Sequence, residues 1–237
     1  MMGLHTSLLD LSSAMKPDNY AYPVTTRCNR ITRLKRLRSL SSDHTAWVPE
    51  HFIGGHPALD LSNAVHDRRA PSPDNELFKS ARDVGTWLLA AGLADERGAG
   101  AVAEIRDRHF LNGVREIREL SYKVFDAIAS DVEIPSQPLG LLFSRAARGL
   151  EAQPVGWNSA RLDLTSNQWR DSTLVTAFLA HLSIEAFFTL PRTRLHACPR
   201  CGWLFIDTSR GGKRRWCNMR ICGNREKISR HRGHMGT

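Results

Sequence analysis

Between residues 47 and 190 the apolar positions recur at helical spacing, and breaker residues divide the pattern into segments. Pro57 follows Gly54-Gly55 and opens a first helix at the position where proline is best tolerated. Val84, Trp87, Leu88 and Ala91 share one face of a second helix beginning near Ser80, and Gly92 is placed to cap its end. The longest helix is predicted over residues 101–130. There Phe110, Val114, Ile117, Leu120, Val124 and Ile128 make a single apolar stripe, while Arg115, Glu116, Arg118 and Glu119 face water. Pro135 and Pro138 interrupt the chain, residues 139–150 suit a short helix, and residues 154–164 read as a small hairpin or loop. Asp171 or Ser172 then caps a helix that carries Leu174, Val175, Phe178, Leu179, Leu182 and Ala186 and is stopped by Pro191. With Ile184, Phe187 and Phe188 on its other faces, this helix is expected to be central and almost wholly buried.

Outside that stretch the pattern changes. Residues 1–46 mix Ser, Thr and Asn with a basic run from Arg27 to Arg38 and offer few large apolar residues, so they are expected to be disordered. Ile31, Leu34 and Leu37 recur every three residues within the run, and a short basic amphipathic helix is the alternative. After Pro191 the chain is polar and basic. The expected fold class is therefore mainly α: a helical domain over 47–190 with a small hairpin or loop, then a small C-terminal module over 192–237. No apolar run approaches the roughly eighteen residues of a membrane span, and the N-terminus lacks the form of a secretory signal, so a cytoplasmic location is expected.

The chemistry concentrates in the C-terminal module. Cys198 and Cys201 form a C-x2-C pair, Cys217 and Cys222 a C-x4-C pair, and fifteen residues separate the two. Four thiolates satisfy a tetrahedral ion, so the spacing points to one structural Zn2+, with no coordination position left for a substrate. Disulfides or unrelated thiols are the alternatives, and a reducing compartment disfavours the former. Gly202 and Gly223 follow a cysteine in each pair and permit tight turns there. Trp203, Phe205, Ile206 and Trp216 are available to cover the metal or, if exposed, to stack on bases.

Charge follows the cysteines. Residues 192–237 hold twelve Lys/Arg against Asp207 and Glu226, whereas the whole chain is +9, so everything before residue 192 is close to neutral. Such asymmetry on a small module suits a polyanion. The candidate contacts are Lys213, Arg214 and Arg215 in the loop between the pairs, then Arg220, Asn224, Arg225, Lys227, Arg230 and Arg232. The run 224–232 has no breaker and reads as a helix. A ligand at its start is the treble-clef or zinc-ribbon-like way of presenting a helix to a groove.

The run Cys201-Gly-Trp-Leu-Phe205, then Asp207-Thr-Ser-Arg210, Arg214-Arg-Trp-Cys217 and Cys222-Gly-Asn-Arg225, resembles the CGNR zinc-finger proteins. The upstream Gly54-Gly-His-Pro-Ala-Leu-Asp-Leu-Ser-Asn63 looks like the opening of the ABATE domain that accompanies that finger. The resemblance implies a bacterial, stress-induced regulator of transcription that holds zinc on the four cysteines; no open metal and no nucleophile with a base is visible in the sequence, so an enzyme is not expected. Two departures stand out: the first pair is closer than is usual in the family, and Ala64 replaces a common threonine.

In the helical domain His56, Asp60 and Asn63 cluster polar groups at one helix start. They suit either a pocket for a small effector or a cap with a buried hydrogen-bond network. His66-Asp67 and His181 with Glu185 are weaker candidates for a second metal. The function expected is a DNA-binding regulator whose helical domain senses an effector or forms a homodimer. An RNA-binding protein is the first alternative, and an enzyme with a pocket around His56 and Asp60 the second.

Overall fold

The computed structural model describes residues 44–158 and 161–234; the basic run at 27–38 lies outside the described residues. Seven α-helices are described: α1 (Pro57–Ser62), α2 (Ala81–Ala91), α3 (Glu96–Ala103), α4 (Phe110–Ala129), α5 (Ser136–Ala152), α6 (Ser172–Thr189) and α7 (Asn224–His234). Two antiparallel hairpins complete the fold, β1 (Gly156–Asn158) with β2 (Arg161–Asp163) and β3 (Leu195–Ala197) with β4 (Leu204–Ile206). The first hairpin aligns Trp157 with Leu162, and the second aligns His196 with Phe205.

Local chemistry sets the helix starts. His56 caps α1 by accepting the Ala58 amide on Nδ1 at 3.1 Å, with Pro57 in the first helical position. Ser80 and Asp83 accept each other's amides at the start of α2, and Gly92 closes it in the left-handed conformation at φ 74°. Asp171 accepts the amides of Thr173 and Leu174 at the start of α6.

The single helix predicted over 101–130 is two helices. Asp107 turns the chain between them: its carboxylate accepts the His109 amide at 2.9 Å and the Ser172 hydroxyl at 2.7 Å, and its carbonyl accepts Phe110 N–H at 3.1 Å. The break lets α3 fold back on α2. The two approach so closely that a Cβ on Gly85 would lie 2.3 Å from the Ala99 carbonyl oxygen.

Helix α6 is the centre of the core. Leu174, Val175, Leu179 and Leu182 are buried along it, and its Ser183 hydroxyl lies 2.7 Å from that of Ser121 on α4. Among the described residues it alone is long and apolar enough by composition to cross a membrane, although Ser, Thr, His and Glu interrupt its apolar run. Here its apolar surface is packed against α4 and α5. Burial is less complete than expected: Thr173 is exposed, Thr176, His181 and Glu185 are half-buried, and Phe188 at the C-terminal end is 69% exposed. The core also includes Leu59, Phe78, Trp87, Ile117 and Phe125, and it reaches past residue 191: Leu195 of β3 and Leu204 of β4 belong to it. A second, smaller apolar cluster surrounds the four cysteines.

Candidate metal centre and nucleic-acid interface

Cys198 and Cys201 sit in the turn at the tip of the β3–β4 hairpin. The turn is closed by Gly202 N–H on the Cys198 carbonyl and by Cys198 N–H on the Trp203 carbonyl, both at 2.8 Å. Gly202 takes φ 74°, and a Cβ there would meet the Arg68 side chain at 2.7 Å, so the position requires glycine twice over. The second pair is built differently. Asn218 accepts the amides of Arg220 and Ile221, at 2.9 and 3.3 Å, and starts a helical turn, Met219–Gly223, that carries Cys222 straight into α7. Gly223 is therefore helical; its missing side chain leaves room for the Met219 sulfur and Trp216.

The four sulfurs all lie within 4.8 Å of one another and are buried. Cys201 is 3.5 Å from Cys217, and Cys222 is 3.6 Å from each of these. A disulfide needs about 2.05 Å, whereas a zinc tetrahedron with bonds of about 2.3 Å has edges of about 3.8 Å. The donor set thus fits a structural Zn2+ and leaves no coordination position open. The thiols also press on one another's protonation. Hydrogen bonds from Cys201, Cys217 and Cys222 hold Cys198 below the usual thiol range, and the bond to Cys198 pushes Cys217 above it. A divalent cation in place of the shared protons relieves that conflict. Trp203 and Phe205 are buried beside the sulfurs, with Trp216 half-buried and Ile53 packed from the helical side.

The loop between the pairs is organised by Asp207, which the charge count registers only as an acid; the Asp-Thr-Ser turn signature marks its structural role in the sequence. Its carboxylate accepts the amides of Ser209 and Arg214, each at 2.8 Å. Hydrogen bonding from Ser209 and then Arg214 holds the carboxyl down at about 2. Arg214 turns out to be a brace. Its guanidinium donates to the carbonyls of Trp216, at 2.9 Å, and Cys217, and lies 4.6 Å over the Phe205 ring. The other predicted contacts are outward: Lys213, Arg215, Arg220, Asn224, Arg225 and Lys227 are exposed. Arg215 lies 5.0 Å over the Trp216 ring. The side chains of Arg230 and Arg232 lie outside the described residues. Among the described residues no ion pair involves Lys213, Arg215, Arg220, Arg225 or Lys227; Glu226 pairs with Arg200 at 3.6 Å.

The knuckle is docked on the helical region by a dense set of hydrogen bonds. Asn63 grips Leu204 at both ends, accepting its N–H at 2.7 Å and donating to its carbonyl at 2.8 Å. The Trp203 indole donates to the Val65 carbonyl at 2.9 Å, Ile206 N–H to that of Gly54, and Arg68 N–H to that of Cys201, the last two at 2.8 Å. The Tyr122 hydroxyl donates to the Gly202 carbonyl at 3.1 Å, and burial raises its pKa to about 12, so it stays a donor. Arg68 and Tyr122 carry no motif that would have announced this role.

His56, Asp60 and Asn63 are all buried, and each is turned toward the protein's own chain. Asp60 accepts the Gly54 amide at 2.8 Å, and His56 Nε2 lies 3.4 Å from a Glu185 carboxylate oxygen. Two open cavities, of about 380 and 320 Å³, lie beside Tyr122 and beside Arg68, and none of the three residues lines either. Asp67 caps its own turn through the amides of Arg69 and Ala70, and His181 packs edge-on against Trp157 at 5.4 Å. Among the described residues only the four cysteines bring three or more metal-ligand groups together.

Residues 55–189 match the ABATE family, described as "Putative stress-induced transcription regulator". The chain belongs to the ABATE family. Residues 194–234 of this ABATE protein also match the CGNR zinc finger. Neither description names an enzyme, and both accord with a regulatory, metal-coordinating chain. A comparison with curated proteins found no match.

Proposed function

We propose that this protein is a cytoplasmic, DNA-binding transcriptional regulator built as two units, 47–190 and 192–237. One Zn2+ on Cys198, Cys201, Cys217 and Cys222 orders the second unit, and Lys213, Arg215, Arg220, Arg225 and Lys227 bind phosphates. Asn224, Arg230 and Arg232 complete the contact surface, with Arg214 holding the loop that displays it. The helical unit serves as a homodimerisation surface or senses an effector.

The observation that carries this reading is the unpaired state of the cations displayed by the metal module. Five exposed basic side chains that have no acidic partner among the described residues create a field that only a polyanion neutralises well. Duplex DNA is favoured over single-stranded RNA because the aromatic rings of the module are covered. Trp203 and Phe205 are buried, and Trp216 lies half-buried beneath Arg215, so no open stacking platform is displayed.

Gel shifts with duplex DNA and with single-stranded RNA, using wild type and Cys217→Ser, test it. Zinc-dependent retention of the duplex is expected, with a log–log salt slope of about −4.5 for five phosphate contacts. A clear preference for RNA would replace the polymer in this reading. Failure to bind either would end it.

A further inference from the structure

Apolar side chains stand among the cations of the metal module. Met219 is 53% exposed, Ile221 37% and Ile228 52%, all within the ten residues that lead into and along α7. The Met219 sulfur packs at Gly223 and Ile221 is nearly two-thirds covered, but three large apolar side chains clustered on an otherwise polar, basic surface fit a complex better than water. Ile221 stands in the π-helical turn, Met219–Gly223, that leads into α7, and Arg225 and Ile228 follow it on α7 itself. The two isoleucines are therefore at most about 10 Å apart along the axis, within about three base pairs at 3.4 Å each. Arg225 lies between them in sequence and Arg220 and Lys227 adjoin them, while Lys213 and Arg215 are exposed in the preceding loop.

We infer that α7 lies in the major groove with Ile221 and Ile228 against thymine methyl groups, so that this face reads A·T pairs on either side of an arginine contact. The inference rests on the DNA reading proposed above. The thymine 5-methyl is the one apolar feature that the major groove presents, and a helix fits that groove. Charge complementarity selects this occupant, since every cation named here is repaid by the flanking phosphates. A membrane surface would need a broader apolar face than two isoleucines and a methionine provide.

The test uses the full-length zinc-loaded protein and a duplex pool enriched by it from random sequence. The pool is resynthesised with deoxyuridine for thymidine, which removes the methyl group and leaves phosphates and pairing unchanged. The dissociation constant is expected to rise about three- to four-fold for each methyl contacted. Ile221→Ala and Ile228→Ala should keep the zinc stoichiometry, bind the thymidine pool more weakly and lose the distinction between the pools. Equal binding of both pools by wild type would overturn the inference while leaving the DNA reading intact. Absence of duplex binding, with retention on anionic vesicles or an acidic apolar peptide, would overturn both.

Discussion

Arginines do opposite work in the two halves of this molecule. In the helical region the half-buried and buried ones are consumed by the fold: Arg118 bonds Glu76 through both terminal nitrogens, at 2.5 and 2.9 Å, and Glu119 at 2.7 Å. Arg68 pairs with Glu119 at 2.5 Å and lies 4.1 Å over the Tyr122 ring. Arg115 donates to the Phe78 carbonyl at 2.7 Å. In the metal module Arg215, Arg220 and Arg225 are exposed and, among the described residues, form no ion pair. A net charge says how much basic surface a chain has. Only the partner of each cation says whether that surface is available, and Arg214, braced inside the basic loop, shows that one run can hold both kinds.

The sharpest way to break the contrast is to take away the metal. Structural zinc contributes about 10–16 kcal/mol in small fingers, so chelation should unfold residues 192–237, abolish nucleic-acid binding and leave most helical circular dichroism. Next in size is Arg118→Ala, which takes a buried guanidinium from Glu76 and Glu119 and leaves them only Arg115 and Arg68. It should cost about 3 kcal/mol in denaturant unfolding, the upper end for hydrogen bonds to charged groups, while leaving the salt slope of DNA binding unchanged. Asn63→Ala removes two buried hydrogen bonds across the docking surface and should cost about 2 kcal/mol.

A similar loss is expected from acid. Burial, with the charge of His66 second, lowers the pKa of His51 to about 4, and its Nδ1 accepts the Val48 amide at 3.2 Å. The unfolded chain then takes up this proton more readily. Stability contributed by neutral His51 should be complete above about pH 6.5 and decline as pH falls toward 4, by about 2 kcal/mol once partial exposure is allowed for. His51→Gln should flatten that part of the profile in urea titrations. Smallest is Lys227→Ala: stability should change by less than about 0.5 kcal/mol, while the salt slope falls by about one.

Much of this was legible because the signals are local. Ser80, Asp171 and Pro57 mark helix starts through contacts within a few residues, and the cysteine spacing encodes the metal geometry directly. The break between α3 and α4 was hidden because the apolar rhythm runs across it. It arises from the close packing of Gly85 on Ala99 and from Asp107 bonding to Ser172, 65 residues away. The docking of the knuckle was hidden for the same reason: Asn63 and Leu204 are separated by 141 residues. Polar residues at a helix start look alike whether they face a ligand or a distant strand. Arg214 escaped because a basic run carries no mark of which member turns inward.

The grip of Asn63 on both backbone groups of Leu204 bears on engineering. A side-chain amide here takes the place of a neighbouring strand, so the outer edge of the finger is completed by its host. Such a finger is not portable. Transplanted alone onto another protein it would carry its cysteines and its charge but lose that framing, whereas a graft bringing Gly54 through Arg68 with it would keep most of those hydrogen bonds and lack the one from Tyr122.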